Sequence, residues 1–144
     1  MMPTPQYERD RCVTGIAGLD EILRGGIPYG STVLVAGTCG SGKTTMCMEF
    51  LVNGAAQGEA CAHFSATEPS VKLLENVRQY DFFDMRLVDQ GLINVFDMDV
   101  LFSWLGMTKS TFELSDIDAM LKTITDNLNT LGVTPQDNAS VTTL

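Results

Sequence analysis

Basic residues are scarce in this chain, which has nine Lys and Arg against eighteen Asp and Glu, a formal net charge of −9 and a single histidine. Affinity for nucleic acid comes mostly from Lys and Arg that neutralise phosphates, so this balance argues against a nucleic-acid partner. No run of about 18 apolar residues is present, which excludes a membrane span. Residues 1–11 also lack the apolar core of a secretory signal. A cytoplasmic location is therefore expected by default.

Cysteines are few and widely spaced, and none forms a CxxC pair. This spacing predicts reduced, mostly buried thiols and indicates neither a zinc site nor a disulfide framework. The chain also lacks Pro-, Ser- or Gln-rich tracts, linkers and internal repeats, so its 144 residues are expected to form one domain. Residues 1–13 would be a lead-in and residues 133–144 a divergent tail. The four cysteines are Cys12, Cys39, Cys47 and Cys61.

A glycine-rich segment at residues 37–44 matches the P-loop pattern GxxxxGK[ST] at every fixed position. Glycines let the backbone curl so that successive N–H groups converge on the phosphates of a nucleotide. Lys43 would add a positive charge, and the Thr44 hydroxyl is placed to bind Mg²⁺. Cys39 lies within this loop, where alkylation could block nucleotide entry. The predicted nucleotide-binding residues are Gly37, Thr38, Cys39, Gly40, Ser41, Gly42, Lys43, Thr44 and Thr45.

The flanks of this loop carry the strand and helix signals that a P-loop requires. Residues 31–36 are β-branched and nearly all apolar, which predicts a buried central strand of a parallel sheet. Met46, Phe50 and Leu51 then recur at helical spacing, and the predicted helix ends near Gly58. The order strand, loop, helix therefore supports a phosphate site.

Two further apolar runs, residues 60–66 and 92–96, each follow a glycine and predict strands. A helix with Val71, Leu74 and Val77 on one face is predicted after Pro69. The alternation of strands and helices predicts an α/β fold with a mainly parallel sheet flanked by helices. Glu68 would lie at the carboxyl edge of that sheet, where ligands bind in such folds. A solvated acid or a helix-capping acid before Pro69 is the alternative interpretation of Glu68.

Later segments predict helix and core. The 3.6-residue apolar period predicts a helix over residues 115–131, ended by Gly132. The apolar cluster from Val100 to Met107 is interpreted as core or a helix face, or alternatively as a subunit contact. His63 lies on an apolar strand and is interpreted as a core residue rather than a catalyst. Methionines such as Met48 are interpreted as core filling.

The segment ahead of the P-loop reads TGxxGLDxxLxGGIPxGS from Thr14 to Ser31 and strongly resembles KaiC-like ATPases; the wider RecA and RadA group shares a looser version. The resemblance continues through residues 50–55 and 76–78 and weakly through 112–115. It implies a RecA-like core that binds ATP and Mg²⁺ at subunit interfaces of a ring, usually a hexamer, and hydrolyses ATP. Some family members also phosphorylate themselves, and the best-known member is a circadian clock component. The expectation of ATP rather than GTP rests only on this resemblance, because a P-loop contacts phosphates that both nucleotides share.

Two positions depart from the family pattern. Thr67 and Glu68 stand where the family has two glutamates, which leaves Glu68 as the candidate that orients the attacking water. Residues 134–144 are polar and contain Pro135, whereas the family continues with an apolar strand that ends in the Walker B aspartate. A turn acid is favoured over a relic of that aspartate for Asp137. The expectation is a KaiC-like domain whose C-terminal strands are missing, and hence a marginally stable or oligomeric protein.

Four functions are suggested by these features. The leading hypothesis is a KaiC-like module that binds MgATP through the P-loop, with weak or no hydrolysis and a possible autokinase ancestry. The alternative is a non-catalytic, nucleotide-responsive regulatory protein that assembles with full-length relatives. A RecA-like recombination protein is disfavoured by the acidic balance. A small-molecule P-loop kinase leaves the segment before the loop unexplained.

Overall fold

The computed structural model describes residues 10–106, together with the isolated residues Lys122, Asp126 and Thr130, which are helical. The predicted helix over 115–131 otherwise lies outside the described residues, as does the tail at 133–144. In the described part, helices alternate with strands along the chain. The predicted α/β class with a parallel sheet is confirmed.

A short antiparallel ladder opens this part of the chain. Strand β1 (Arg11–Cys12) pairs with β2 (Ile27–Pro28), and helix α1 (Leu19–Ile22) lies between them. The two strands are joined closely at Gly26, which has a φ of 116° and would place a Cβ atom 2.1 Å from the Cys12 carbonyl oxygen. Only glycine allows this approach. The ladder therefore joins the two ends of the segment from residue 11 to residue 28.

The parallel sheet consists of β3 (Cys61–Ser65) and β4 (Ile93–Asp97), paired in register from Cys61 opposite Ile93 to Ser65 opposite Asp97. Both strands lie within one residue of the predicted positions. Between them run α3 (Ser70–Val77) and the short α4 (Met85–Asp89). Helix α5 (Met98–Leu105) follows β4 directly. The carboxyl ends of β3 and β4 therefore meet at one edge of the sheet.

The core forms where helix α2 (Lys43–Ala56) packs on this sheet. One buried cluster joins α2 to α3, and a second joins α2 to β4. Half-buried aromatic and aliphatic side chains, including Phe82 and Val95, pack against both clusters. The buried members are Met48, Leu51, Leu73 and Val77 in the first cluster and Val52, Ala55 and Ile93 in the second. The interpretation of Met48 as core filling is confirmed.

The prediction of a buried central strand at residues 31–36 was wrong. These residues belong to no strand, and Leu34 is 81% exposed. Half-buried and exposed side chains still alternate with the period of two that extended backbone gives. A strand needs a hydrogen-bonded neighbour, and in residues 10–106 no strand is paired with this segment: β1 pairs with β2, and β3 pairs with β4.

Two smaller expectations, on α3 and on the segment after β4, have different outcomes. Val71 is exposed rather than buried, because α3 buries Leu73 and Val77, an i and i+4 pair, and this rotates Val71 to the outside. The apolar segment after β4 forms α5, where Phe102 is buried and Trp104 contacts the rings of Phe64 and Phe96. Core packing is therefore the better interpretation for this part of that segment.

Candidate functional site

The P-loop runs into the N-terminus of α2 in the way its glycines predict. Gly40 and Gly42 adopt left-handed backbone conformations, with φ of 76° and 88°, and Gly42 caps the helix. Other residues adopt these angles only at a cost in free energy. A Cβ atom on Gly37 would lie 2.6 Å from the Ser41 hydroxyl oxygen. The pattern therefore corresponds to backbone geometry as well as to sequence.

The first turn of α2 offers a cluster of backbone donors. Its first intrahelical bond runs from the Met46 N–H to the Gly42 carbonyl at 2.9 Å. The N–H groups of Lys43, Thr44 and Thr45 precede that bond and have no acceptor within the helix. They lie at the positive end of a helix of 14 residues, where an anion is stabilised. This donor set fits a phosphate chain.

The Lys43 ammonium turns back onto its own loop. Its Nζ donates to the carbonyl oxygens of Gly37 at 2.9 Å and Thr38 at 2.8 Å. A phosphate bound at the helix end would compete with these two carbonyls for the ammonium group. The Thr44 side chain is exposed, so its hydroxyl is accessible to Mg²⁺ held by phosphate oxygens and water. Cys39 is exposed as well.

A partly buried hydrogen-bond network ties the segment before the loop to α2. Asp20 accepts hydrogen bonds from the N–H and hydroxyl of Thr14, both at 2.8 Å, and from the Gly15 N–H at 3.0 Å. The Asn53 side chain on α2 donates to the Thr14 carbonyl at 2.9 Å. Partial burial acts to raise the pKa of Asp20, but these hydrogen bonds hold it below its usual value. The TGxxGLD sequence thus encodes a structural tie to the P-loop helix.

Glu68 lies at the carboxyl edge of the parallel sheet, as predicted. It lines a cleft of about 290 Å³ between the turn after β3 and the start of α5. The Asn76 side-chain amide donates to its carboxylate at 2.6 Å, and the Ser65 hydroxyl donates to its backbone carbonyl. Among the described residues no hydrogen bond joins Glu68 to the P-loop. The structure therefore orients this carboxylate through α3.

Asp97 also lines this cleft, and it was not among the site residues predicted from the sequence. Its carboxylate accepts from the Ser70 N–H at 2.6 Å and from the Ser70 hydroxyl at 3.3 Å, so it caps the N-terminus of α3 from the neighbouring strand. Its position directly after the predicted strand at residues 92–96, at the same sheet edge as Glu68, was the available signal; in the structure it is the last residue of β4. Asp97 therefore caps α3, whereas the Glu68 carboxylate accepts its hydrogen bond from the Asn76 side chain.

Other titratable groups near the sheet are buried and inert. His63 is 7% exposed on β3, and burial lowers its pKa, so it is neutral at pH 7. Its interpretation as a core residue is confirmed. Burial also raises the pKa of Cys61 to about 12. Cys12 and Cys47 are buried and Cys61 is half-buried, so three of the four thiols are at least partly shielded from solvent.

Metal clusters and membrane-spanning helices are both absent from the described ranges. No group of three or more His, Cys, Asp and Glu side chains is arranged to hold a metal ion there. In the same residues, no helix has both the length and the hydropathy needed to cross a bilayer.

Similarity to known proteins places this geometry in a family. A KaiC-like protein from Pyrococcus horikoshii, known from its crystal structure, superposes with a TM-score of 0.61 at 26% identity, over 92% of this chain and 69% of that one. Fold and loop together define a RecA-like P-loop protein. Residues 12–138 match the family model described as "ATPase: KaiC". The chain belongs to the KaiC ATPase family.

Curated relatives are longer than this chain. A UPF0273 protein from Pyrococcus furiosus is 30% identical over 139 residues, which cover 93% of this chain and 56% of that protein. The circadian clock oscillator protein KaiC of Acaryochloris marina is 36% identical over 93 residues, which cover 64% of this chain and 18% of that protein. This chain therefore spans about half the length of the first relative and a smaller part of the second.

Proposed function

We propose that this chain is a nucleotide-binding module that binds MgATP through residues 37–45. The observation that carries the proposal is the junction of the loop with α2, where left-handed Gly40 and Gly42 precede three N–H groups without helical acceptors. Lys43 would leave the carbonyls of its own loop for the β and γ phosphates. Thr44 would bind the Mg²⁺ that accompanies them. Residues 1–144 would then form a single, partial KaiC-like domain.

Hydrolysis is proposed to be slow or absent. Glu68 is the candidate that would orient the attacking water, and its carboxylate is hydrogen-bonded to the side-chain amide of Asn76. Thr67 replaces the first of the two adjacent glutamates that the family resemblance leads one to expect, and Glu68 matches the second. Any turnover would therefore depend on the single carboxylate of Glu68.

Titration calorimetry with MgATP tests the proposal. Wild-type chain should bind, Lys43→Ala should lose at least tenfold in affinity, and Lys72→Ala should match the wild type, because Lys72 is an exposed lysine of α3 outside the loop. Equal binding by Lys43→Ala, or no binding by a folded wild-type chain, would overturn it. Phosphate release measured with Glu68→Gln then decides whether Glu68 supports turnover.

A non-catalytic, nucleotide-responsive role is the second candidate function. It is favoured by residues 31–36, an extended segment that has no strand partner in residues 10–106 and that exposes Leu34. Such an edge is a template for pairing with another chain, including a further copy or a full-length relative in a ring. Light scattering with and without MgATP tests this role. A monomer under both conditions, unchanged by Leu34→Glu, would count against it.

A further inference from the structure

Glu68 lies in the junction between β3 and α3, and the backbone of this junction is tied on both sides. The Ser65 hydroxyl, at the end of β3, donates to the Glu68 carbonyl. At the start of α3, the Ser70 N–H donates to the Asp97 carboxylate at 2.6 Å, which joins α3 to the neighbouring strand. Between them stands Pro69, whose ring restricts its own φ. The backbone at Glu68 is therefore held, and its carboxylate moves only through the rotatable bonds of its side chain.

Asn76 on α3 restrains that remaining freedom. Its side-chain amide donates to one oxygen of the Glu68 carboxylate, Oε1, at 2.6 Å and across eight positions of sequence. Hydrogen bonds to an ionised acceptor are shorter and stronger than those between neutral groups. Asn76 is exposed and Glu68 is half-buried, so neither side chain fills the core. This contact therefore sets the direction of a carboxylate and leaves its second oxygen, Oε2, for another donor.

The side of α3 that carries Asn76 borders α2, the helix that offers the phosphate donors. Leu73, three positions before Asn76, belongs to the buried cluster that includes Met48 of α2. Tyr80, four positions after Asn76 in the turn that ends α3, has its hydroxyl 3.5 Å from the Thr45 hydroxyl in the first turn of α2. Residues three and four apart are neighbours on a helix surface. Asn76 therefore holds the carboxylate on the side of α3 that contacts the P-loop helix.

We propose that Asn76 is a positioning residue for hydrolysis of a nucleoside triphosphate: its amide holds the Glu68 carboxylate in the orientation that directs a water molecule at the terminal phosphate. The oxygen of that water forms a bond to the terminal phosphorus, and the bond from this phosphorus to the bridging oxygen breaks. The bridging oxygen keeps the electron pair and leaves with the nucleoside diphosphate. Glu68 accepts the proton of the water and releases it to solvent.

This inference rests on the proposed nucleotide binding and goes beyond it, because binding of the phosphates requires neither Asn76 nor Glu68. It commits the chain to slow turnover through one carboxylate. It also assigns the rate of that turnover partly to a residue that touches neither nucleotide nor water.

Single-turnover phosphate release from MgATP, measured beside calorimetric affinity, separates positioning from binding. Asn76→Ala and the nearly isosteric Asn76→Asp should each lower the rate roughly tenfold to a hundredfold, the loss that a misplaced catalytic group gives. Both should bind MgATP within about twofold of the wild type, since the phosphate donors of α2 remain. Gln79→Ala is the matched control, because it removes another exposed amide, whose hydrogen bond at 3.4 Å goes to the Glu75 carbonyl. It should leave the rate unchanged.

Two further measurements ask whether Asn76 acts through Glu68. Glu68→Gln should itself lower the rate by about a hundredfold or more, and adding Asn76→Ala to it should have no further effect, whereas independent effects multiply. In ¹⁵N spectra, the side-chain amide resonance of Asn76 is assigned by its absence in Asn76→Asp. It should move in Glu68→Gln and much less in Glu75→Gln, a change at the adjacent exposed acid.

Several outcomes would overturn the positioning role while leaving nucleotide binding intact. They are a wild-type rate in Asn76→Ala, rate losses that multiply in the double variant, and an amide resonance that Glu68→Gln does not move. A wild-type chain that binds MgATP but releases no phosphate would overturn it as well. A folded wild-type chain that binds no MgATP would refute the proposed function, and the positioning role with it.

Discussion

Asp20 offers the sharpest test of how the segment before the P-loop is held. Its two carboxylate oxygens accept three hydrogen bonds from Thr14 and Gly15, and Thr14 is only 1% exposed. Asn53 on α2 binds the Thr14 carbonyl from the other side. Asp20→Ala removes both acceptor oxygens, and with them all three hydrogen bonds, without adding a bulky group. The variant therefore isolates the contribution of this network to stability.

The magnitude follows from which donors lose their partner. The N–H and hydroxyl of Thr14 are buried, and each unsatisfied buried donor costs about 1–3 kcal/mol. The N–H of exposed Gly15 can bond to water, so its loss costs little. Asp20→Ala should therefore lower the free energy of unfolding by about 3 kcal/mol. Asp20→Asn keeps one oxygen for Thr14 but turns an amide donor toward the Gly15 N–H, and it should cost about 1 kcal/mol.

Urea unfolding followed by far-ultraviolet circular dichroism at pH 7 measures these differences. Glu21→Ala is the matched control, since Glu21 is the exposed neighbouring acid on α1, and it should change stability by less than about 0.5 kcal/mol. Asp20 has a folded pKa below its unfolded pKa, so its contribution is complete above the unfolded value and is lost as pH falls through the folded one. The gap between wild type and Asp20→Asn should therefore narrow in acid. An Asp20→Ala variant as stable as Glu21→Ala would refute this account.

Two further outcomes are expected in the same unfolding assay. Gly26→Ala should lower the free energy of unfolding by more than about 2 kcal/mol, because its Cβ would lie 2.1 Å from a carbonyl oxygen of β1 at a φ of 116°. In contrast, Gly54→Ala in α2 should raise the free energy of unfolding by up to about 1 kcal/mol, since the atom nearest to its Cβ, at 3.0 Å, is the flexible end of a side chain. Equal effects of the two glycine variants would contradict the geometry. Burial lowers the pKa of His63 in the folded chain, so below about pH 6.5 the unfolded chain binds a proton at this residue more readily than the folded chain. The free energy of unfolding should therefore fall as the pH drops from about 7 to about 5.5. His63→Gln should flatten that slope, and an unchanged slope would show that other groups cause it.

Local signals were enough to predict the elements that local chemistry controls. The apolar runs after glycines became β3 and β4, and the glycine pattern of the P-loop became left-handed backbone before α2. The class of fold and the position of Glu68 at the sheet edge followed from the alternation of these elements. In each case the residues that carry the signal are also the residues that form the structure.

Contacts between distant residues could not be predicted in this way. Asp97 caps α3 at Ser70, 27 positions earlier in the chain, and Asn53 binds Thr14 across 39 positions. No local period encodes such pairs, because they depend on how elements pack. The prediction of a strand at residues 31–36 was wrong for a related reason. Their sequence favours a strand, but a strand also needs a neighbour, and none of the described segments supplies one.

The two halves of the phosphate site are held by very different means. On the helix side, Lys43, Thr44 and Thr45 begin α2. Met48 and Leu51 hold this helix in the core, and the Asn53 side chain donates a hydrogen bond to the Thr14 carbonyl. On the other side, residues 31–36 have no sheet partner among the described residues and the loop after them is exposed. The helix side carries the three N–H groups without helical acceptors, the ammonium of Lys43 and the threonine hydroxyls, so many of the groups proposed to bind phosphate belong to the better-packed half. Phosphate binding is therefore expected to tolerate changes in residues 31–36 that would disturb pairing with another chain.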